Sequence, residues 1–403
     1  MKITYHDAKN QVAQITSYLQ SKYPDNKFIV SGDFLRNKEQ ISEIIIISDN
    51  TNYPDLSEFN PIKIQMDNFV DFNGFLTTVF QTTSLLPIII KLVKSEELDF
   101  FVWKESADSK HIEYILSKNN IKSLNSLKDN IPKVASLYKN ANLPFVFPEH
   151  RDGHIELQGI YNTDDLINHE AIKGSIHMHT TYSDGINSIR DMALYCRDNL
   201  KQNYMAVSDH SYAMNERDVE NQAIEIKKLN LELFPFKIFH SVEVDILENG
   251  KLQYPDELLN VFDFVIASVH FDYKMTKRQA TKRITKAIEN KYVSIIGHLY
   301  NRYLDSGNTY DLDLNYIMDA YKANNIISEL NCTPNRMDLD YRHIQTLMDK
   351  GIMISINQDA HSCDGLDRIE YGVNSARKGY LNKNMCLNAM DLRTFSGIMN
   401  KSK

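Results

Sequence analysis

The chain has 403 residues, 42% hydrophobic and 24% charged, the make-up of a globular protein of about two domains rather than a disordered or fibrous one. A formal net charge of −8 argues against holding long duplex DNA by general electrostatics. No run approaches the roughly 18 apolar residues of a membrane span, and the N-terminus lacks both a basic n-region and an apolar signal core, so a cytoplasmic location with no membrane partner is expected.

In chain order, the pattern predicts a helix over Tyr5–Lys22, strands over Lys27–Ser31, Ile41–Ser48 and Pro87–Val93, then helices over Asp108–Lys118 and Leu124–Lys139. This is a small α/β domain over residues 1–142. Leu143 to Gly153 carries two prolines and a glycine and opens an extended connector assigned to 143–170. From Ala171 onward, short apolar strands alternate with longer helical stretches, the mark of βα units around a parallel sheet. Seven strands are expected: Ser175–His179, Met205–Ser208, Ile238–Val244, Phe264–Val269, Val293–Ile296, Ile326–Leu330 and Met353–Asn357. Cys196, Cys332, Cys363 and Cys386 are far apart and form no C-x-x-C pair, so reduced thiols are expected rather than a disulfide framework or zinc ribbon. Cys363 is read as a packing residue.

Six of those strands carry a His, Asp or Glu at or just past the end, where α/β barrels place their active sites. The first gives His177-Met178-His179 and then Asp184. In an extended segment residues i and i+2 share a side, so both imidazoles can ligate one metal. The others end in Asp209-His210, Glu243-Val244-Asp245, His270, Gly297-His298 and Asp359-Ala360-His361. One buried histidine is more often a hydrogen-bonded core residue than a ligand. So many ionisable groups at one barrel mouth would cost several kcal/mol each without a partner, and metal coordination is the usual compensation. Nine candidate ligands, His177, His179, Asp184, His210, Glu243, His270, His298, Asp359 and His361, are too many for one ion and suit two or three divalent metals sharing a water or hydroxide.

The set HxHxxxxD, DH, E, SVH, GH and DAH resembles the polymerase and histidinol phosphatase (PHP) family, with every ligand position filled by the expected residue type. The resemblance implies a distorted (β/α)7 barrel and a trinuclear site holding zinc, manganese or iron, a range with which nitrogen and carboxylate donors without thiolate agree. It places His177, His179, Glu243 and Asp359 on one metal, Glu243, His270 and His298 on a second, and Asp184, His210 and His361 on a third. Tyr310 to Asp319, Glu329 to Leu339 and Tyr371 to Leu381 are similar to the PHP tail of bacterial family X DNA polymerases, and Leu143 to Gly153 resembles the connector before it. Gly32 to Ile45 looks like the polymerase palm motif, but Glu43 and Ile45 stand where two metal-binding aspartates belong, and Ile88 to Val93 offers no third acid. Since isoleucine cannot hold magnesium, the first domain reads as a nucleotidyltransferase-like remnant without polymerase activity.

The resulting expectation is a metal-dependent phosphoesterase with Glu243, Asp359 and His361 at the reaction centre and Arg302, Arg336 and Arg377 as candidate phosphate contacts. Asp209 and Asp245, each next to a ligand, are candidates for orienting it. The leading substrate is single-stranded or 3′-end DNA, cut as by a 3′–5′ exonuclease. A small phosphomonoester of the histidinol phosphatase type is the rival, and a non-catalytic DNA-repair module a third reading. Lys274, Lys277, Arg278, Lys282, Arg283, Lys286 and Lys291 face a single acid, Glu289, and form either a solvated helix face or a phosphate-attracting rim.

Overall fold

Thr4 caps the first helix, Tyr5–Lys22, its side chain accepting from Asp7 N, and Ala8, Val12, Ile15 and Leu19 form one buried stripe along it. The structure is a computed structural model describing residues 2–50, 54, 56, 59, 65–70, 76–81, 86–127, 131–157 and 163–401; residues 128–130 of the expected helix Leu124–Lys139 and 158–162 of the expected connector lie outside them. The chain divides into two units, Met1–Asn162 and Thr163–Lys403.

In the first unit β1 (Ile3–Thr4) pairs with β3 (Gln40–Ile41), and a five-stranded sheet runs in the order β2 (Phe28–Ser31), β4 (Ile44–Ser48), β7 (Ile88–Leu92), β6 (Leu76–Gln81), β5 (Gln65–Val70). The expected strand Ile41–Ser48 is thus two strands. β4 and β7 are parallel, with Ile45 directly opposite Ile89. Where one helix was expected over Leu124–Lys139 there is a short 3₁₀ turn, Leu124–Leu127, and a separate helix, Val134–Asn140. Pro132 lies between them and cannot donate to a continuous helical ladder.

The second unit is built on seven parallel strands in strict chain order: β8 (Gly174–Ser175), β9 (Tyr204–Val207), β10 (Lys237–Asp245), β11 (Phe264–Ser268), β12 (Val293–Ile296), β13 (Ile327–Asn331) and β14 (Ile354–Asn357). Helices between successive strands include Glu216–Glu232, Lys277–Ile288, Leu314–Asn324 and Ile344–Asp349. Burial on both faces explains the runs of apolar residues, such as Tyr204–Val207, in place of alternation. The sheet nearly closes on itself. His179 N donates to Ala360 O at 2.8 Å, and Met178 bridges Ala360 in parallel sense, joining the first strand's extension to the last's. Regular pairing in the first strand stops at Ser175, short of the expected His179, because Ser208 Oγ takes the Met178 N–H at 2.9 Å.

Period-2 geometry then decides what the barrel holds at each end. Phe239, Ser241, Glu243 and Asp245 share one face of β10, and Ile327, Glu329 and Asn331 share one face of β13. Phe239 and Ile327 belong to an apolar plug with Ile176, Tyr204, Phe264 and Ile295, joined by Phe395 of the final helix Leu392–Lys401. The same rows, followed toward the strand C-termini, turn from hydrocarbon to carboxylate. Among the described residues no helix is long and apolar enough to cross a membrane.

Candidate metal centre

All nine candidate ligands meet at the C-terminal end of the barrel. Three groups offer ligand atoms within 4.8 Å of one another: His177, His179, Glu243 and Asp359; His179, Asp184, His210 and His361; and His210, Glu243 and His270. Glu243 is the hub. Its Oε2 lies 3.3 Å from His177 Nε2, 3.5 Å from His179 Nε2 and 3.0 Å from His210 Nδ1, while Oε1 lies 3.3 Å from His270 Nε2 and 3.0 Å from His298 Nε2. Asp359 Oδ1 is 3.0 Å from His179 Nε2, and Asp184 Oδ2 is 3.3 Å from His361 Nε2. The first group matches the metal set implied by the resemblance. The third brings His210 to the Glu243–His270 pair, with His298 reaching the same carboxylate from the other side.

Local backbone serves this convergence. Asp359 sits in the left-handed region at φ 50°, a strain that an aspartate tolerates better than a branched residue and that persists where surroundings over-determine it. Gly185, just after Asp184, passes so close to the first strand that a Cβ there would meet His179 O at 2.3 Å.

Hydrogen-bond acceptors surround the candidate ligands. Asp245 Oδ1 lies 2.5 Å from His270 Nδ1, the orienting contact anticipated for it. Asp209 instead accepts from Thr180 N, Thr180 Oγ1, Ser183 Oγ and Gln222 Nε2, and so pins the loop between His179 and Asp184. A third acceptor, Glu329, had no role assigned from sequence. Its Oε2 takes His177 Nδ1 and Asn357 Nδ2, both at 2.7 Å, and its Oε1 takes His298 N and Asn331 Nδ2. The signal was an acid in a fully buried strand, with Asn331 two residues on and Asn357 opposite Asn331 in register.

The electrostatics are those of a cation site. Burial alone would raise the carboxyl of Glu243, but His270 and His177 hold it well below the usual range; burial is likewise overcome at Asp359, chiefly by His177 and His179. Conversely, burial opposes but Glu329, Glu243 and Asp359 outweigh it to lift His177 well above an ordinary imidazole, and Glu243 and Asp245 lift His270 to about 10. His179 and His298 are lowered, foremost by burial. Buried His177 Nε2, His179 Nδ1, His210 Nδ1, His298 Nδ1 and Glu243 Oε2 make no hydrogen bond of acceptable geometry. Orphaned nitrogen and carboxylate donors around one space fit divalent transition metals, whose binding would displace the protons on the raised imidazoles.

Of the three candidate arginines, Arg336 stands against the cluster: Nη1 is 3.3 Å from Asp359 Oδ2, and its guanidinium lies 5.8 Å from the Tyr303 ring. Arg302 donates to Met337 O and lies 3.4 Å from Asp340; Arg377 donates to Ile167 O. The basic stretch is split. Lys277, Arg278, Lys282 and Lys286 are exposed on helix Lys277–Ile288 and line a surface groove with Tyr316 of the next helix. Arg283 is buried, donating to the carbonyls of Ile246, Leu247, Phe271 and Asp272.

The PHP domain family matches residues 175–333, which hold seven of the nine candidate ligands. The chain is 35% identical over 277 residues to the DNA polymerase/3′-5′ exonuclease PolX of Bacillus subtilis, a match covering 67% of this chain and 48% of that protein. It is 29% identical over 159 residues to a probable phosphatase of Caldanaerobacter subterraneus, covering 36% of this chain and 60% of the other. The chain therefore spans only about half of the first relative and three fifths of the second. Histidinol phosphate phosphatase of Lactococcus lactis, solved with zinc, L-histidinol and phosphate, is a distant likeness at 19% identity and TM-score 0.39, covering 52% of this chain and 92% of that one. With a seven-stranded parallel barrel, these candidate ligands at its mouth and the family match running from Ser175 through the end of the sixth strand, the second unit of this chain carries a PHP domain.

Proposed function

We propose that this chain is a metal-dependent phosphoesterase that hydrolyses the ester bond at the 3′ end of a DNA strand. The observation that carries the reading is the Glu243 hub, one buried carboxylate facing five imidazoles, with donor atoms left unpaired around it. His177, His179, Asp184, His210, Glu243, His270, His298, Asp359 and His361 would hold two or three divalent ions of zinc, manganese or iron, which would supply a nucleophile from water at neutral pH and neutralise charge on the phosphoryl oxygens. The chain's own residues do the rest. Glu243 and Asp359, kept ionised, and His361 on the open side surround the position of the reacting phosphoryl group. Glu329 and Asp245 fix the rings of His177 and His270. Arg336, steered by Asp359, turns its guanidinium fork toward a non-bridging phosphate oxygen.

The 3′-end substrate is supported by the similarity to an exonuclease-bearing polymerase, and loss of polymerase activity by the first unit. There Ile45 and Ile89 face each other in register and Lys91 is tied to Glu105 at 2.9 Å, so the lone acid at the expected positions is Glu43. Four free cysteines suit the reducing cytoplasm. The similarity to a probable phosphatase favours a second reading, a small phosphomonoester as substrate.

The test is elemental analysis of gently purified protein, followed by an assay offering a labelled single strand, a 3′-phosphorylated strand and histidinol phosphate side by side. Roughly two to three ions per chain and cleavage from the 3′ end are expected, with both lost in Glu243→Ala. Fewer than one ion per chain overturns the metal centre. Hydrolysis of histidinol phosphate alone moves the substrate to the second reading.

A further inference from the structure

Four large apolar side chains, Ile186, Tyr212, Phe271 and Tyr303, stand exposed on the loops that follow β8, β9, β11 and β12. Each lies close behind a candidate ligand in sequence: Ile186 after Asp184, Tyr212 after His210, Phe271 after His270, Tyr303 after His298. Exposed apolar residues scattered singly need no explanation. Four gathered on the one face that also collects the ionisable cluster form a rim, and an apolar rim around a charged mouth marks where the organic part of a ligand rests.

Tyr212 is the best placed of them. Its ring stacks on the imidazole of His210 with centroids 4.6 Å apart and planes 23° from parallel, and it meets His270 edge-on at 6.5 Å. It therefore forms a second layer over two candidate ligands, yet the residue is 52% exposed. The cluster is open on the same side: the side chains of Asp184 and His361 are 46% and 39% exposed, whereas those of His177, His179 and Glu243 are fully buried. Ile186 is fixed at that opening, its N–H donating to His361 O at 2.9 Å. A phosphate at the metals entering from this side brings its attached group alongside Tyr212.

We infer that Tyr212, with Ile186 beside the same opening, is a stacking platform for the base of the nucleotide whose phosphate ester is hydrolysed. A small phosphomonoester needs an enclosing pocket that buries most of its surface, and a rim this exposed does not enclose one. A strand laid across an open mouth needs aromatic faces on which bases of any sequence can rest, and tyrosine supplies a rigid, amphipathic one. The inference rests on the 3′-end reading above.

The experiment uses the full chain and two strands of identical sequence, one ending in an ordinary 3′ nucleotide and one in an abasic residue. The unaltered protein is expected to cleave the ordinary end roughly tenfold more efficiently, as kcat/KM. In Tyr212→Leu that ratio falls toward one, and in Tyr212→Phe it is retained. A second readout does not depend on turnover. A 3′-terminal 2-aminopurine should lose fluorescence on binding the metal-stripped protein and keep it on binding Tyr212→Leu, with occupancy followed by anisotropy of a dye at the 5′ end. Equal loss of cleavage on both strands in Tyr212→Leu, or unchanged quenching, overturns the platform and leaves Tyr212 as a brace for His210. Failure of the unaltered protein to cut either strand overturns the 3′-end reading itself, and the platform with it.

Discussion

Replacing Glu329 by glutamine exchanges one carboxylate oxygen for an NH2 at nearly constant volume, and the hydrogen-bond pattern leaves that NH2 nowhere to point. Both oxygens of Glu329 accept: one from His298 N at 3.1 Å and Asn331 Nδ2 at 3.0 Å, the other from His177 Nδ1 and Asn357 Nδ2 at 2.7 Å. The donor role of His177 Nδ1 follows from this network, since the Glu329 carboxyl, which burial alone would raise, is held low by His177. In either orientation the new NH2 faces two donors, so two bonds to an ionised acceptor are lost, each worth about 1.5–3 kcal/mol. Removing a buried charge returns part of that. What remains falls on the orientation of His177, whose Nε2 must face Glu243 and Asp359. Loss of such an outer acceptor typically weakens metal binding 10- to 100-fold, about 1.4–2.7 kcal/mol. Competition against a chromophoric chelator measures the affinity directly, with circular dichroism to verify the fold. An affinity within twofold of the parent, in a folded protein, would refute the assignment of Glu329 as the residue that positions His177.

Arg283→Met removes the donor from the buried Ile246 carbonyl and the partly buried carbonyls of Leu247, Phe271 and Asp272, and should destabilise the chain by roughly 2–4 kcal/mol in urea unfolding; a variant as stable as the parent would mean that water replaces the guanidinium. His240 gives a pH signature. Burial holds its imidazole down to about 4, against 6.5 when unfolded. The unfolded chain then takes up this proton first as pH falls, so the stability His240 contributes is intact above pH 6.5 and is lost between 6.5 and 4, by roughly 3 kcal/mol in all. His240→Gln should lose less stability over that window, and equal losses in both proteins would count against it. Template-directed primer extension with magnesium should stay at background, because Ile45 and Ile89 offer no carboxylate; extension above background would show that the acids are supplied elsewhere.

The convergence of the candidate ligands was legible because each sits where a βα unit ends, a position that chain order alone identifies. His177 and His179 could be paired from strand periodicity. Tertiary partners were not legible in the same way. Asp209 and Asp245 look alike in sequence, each beside a candidate ligand, but one braces a loop and the other an imidazole. Glu329 resembles any strand acid until the neighbouring strands bring His177 and Asn357 to it. Arg283 hid inside a basic run, although its spacing from Ala280, Ile284 and Ala287 puts it on the buried side of the helix. In the first unit, the isoleucine-rich stretch before Ser48 reads as one strand because propensity does not register the break at Ser42 and Glu43.

The seam of the barrel runs through the candidate metal centre. His177 and His179 lie on one side of it and Asp359 and His361 on the other, 180 residues apart along the chain at the His179–Asp359 contact. An ion bound across that line is a removable cross-link closing a very long loop, and the entropy of such closure grows only as the logarithm of loop length. Stripping the ion should therefore loosen the barrel first at its seam. Amide exchange would quicken at His179 and Ala360 while the middle strands, β10 to β12, stay protected. Supply of metal then sets how firmly the ring is shut as well as whether it can react.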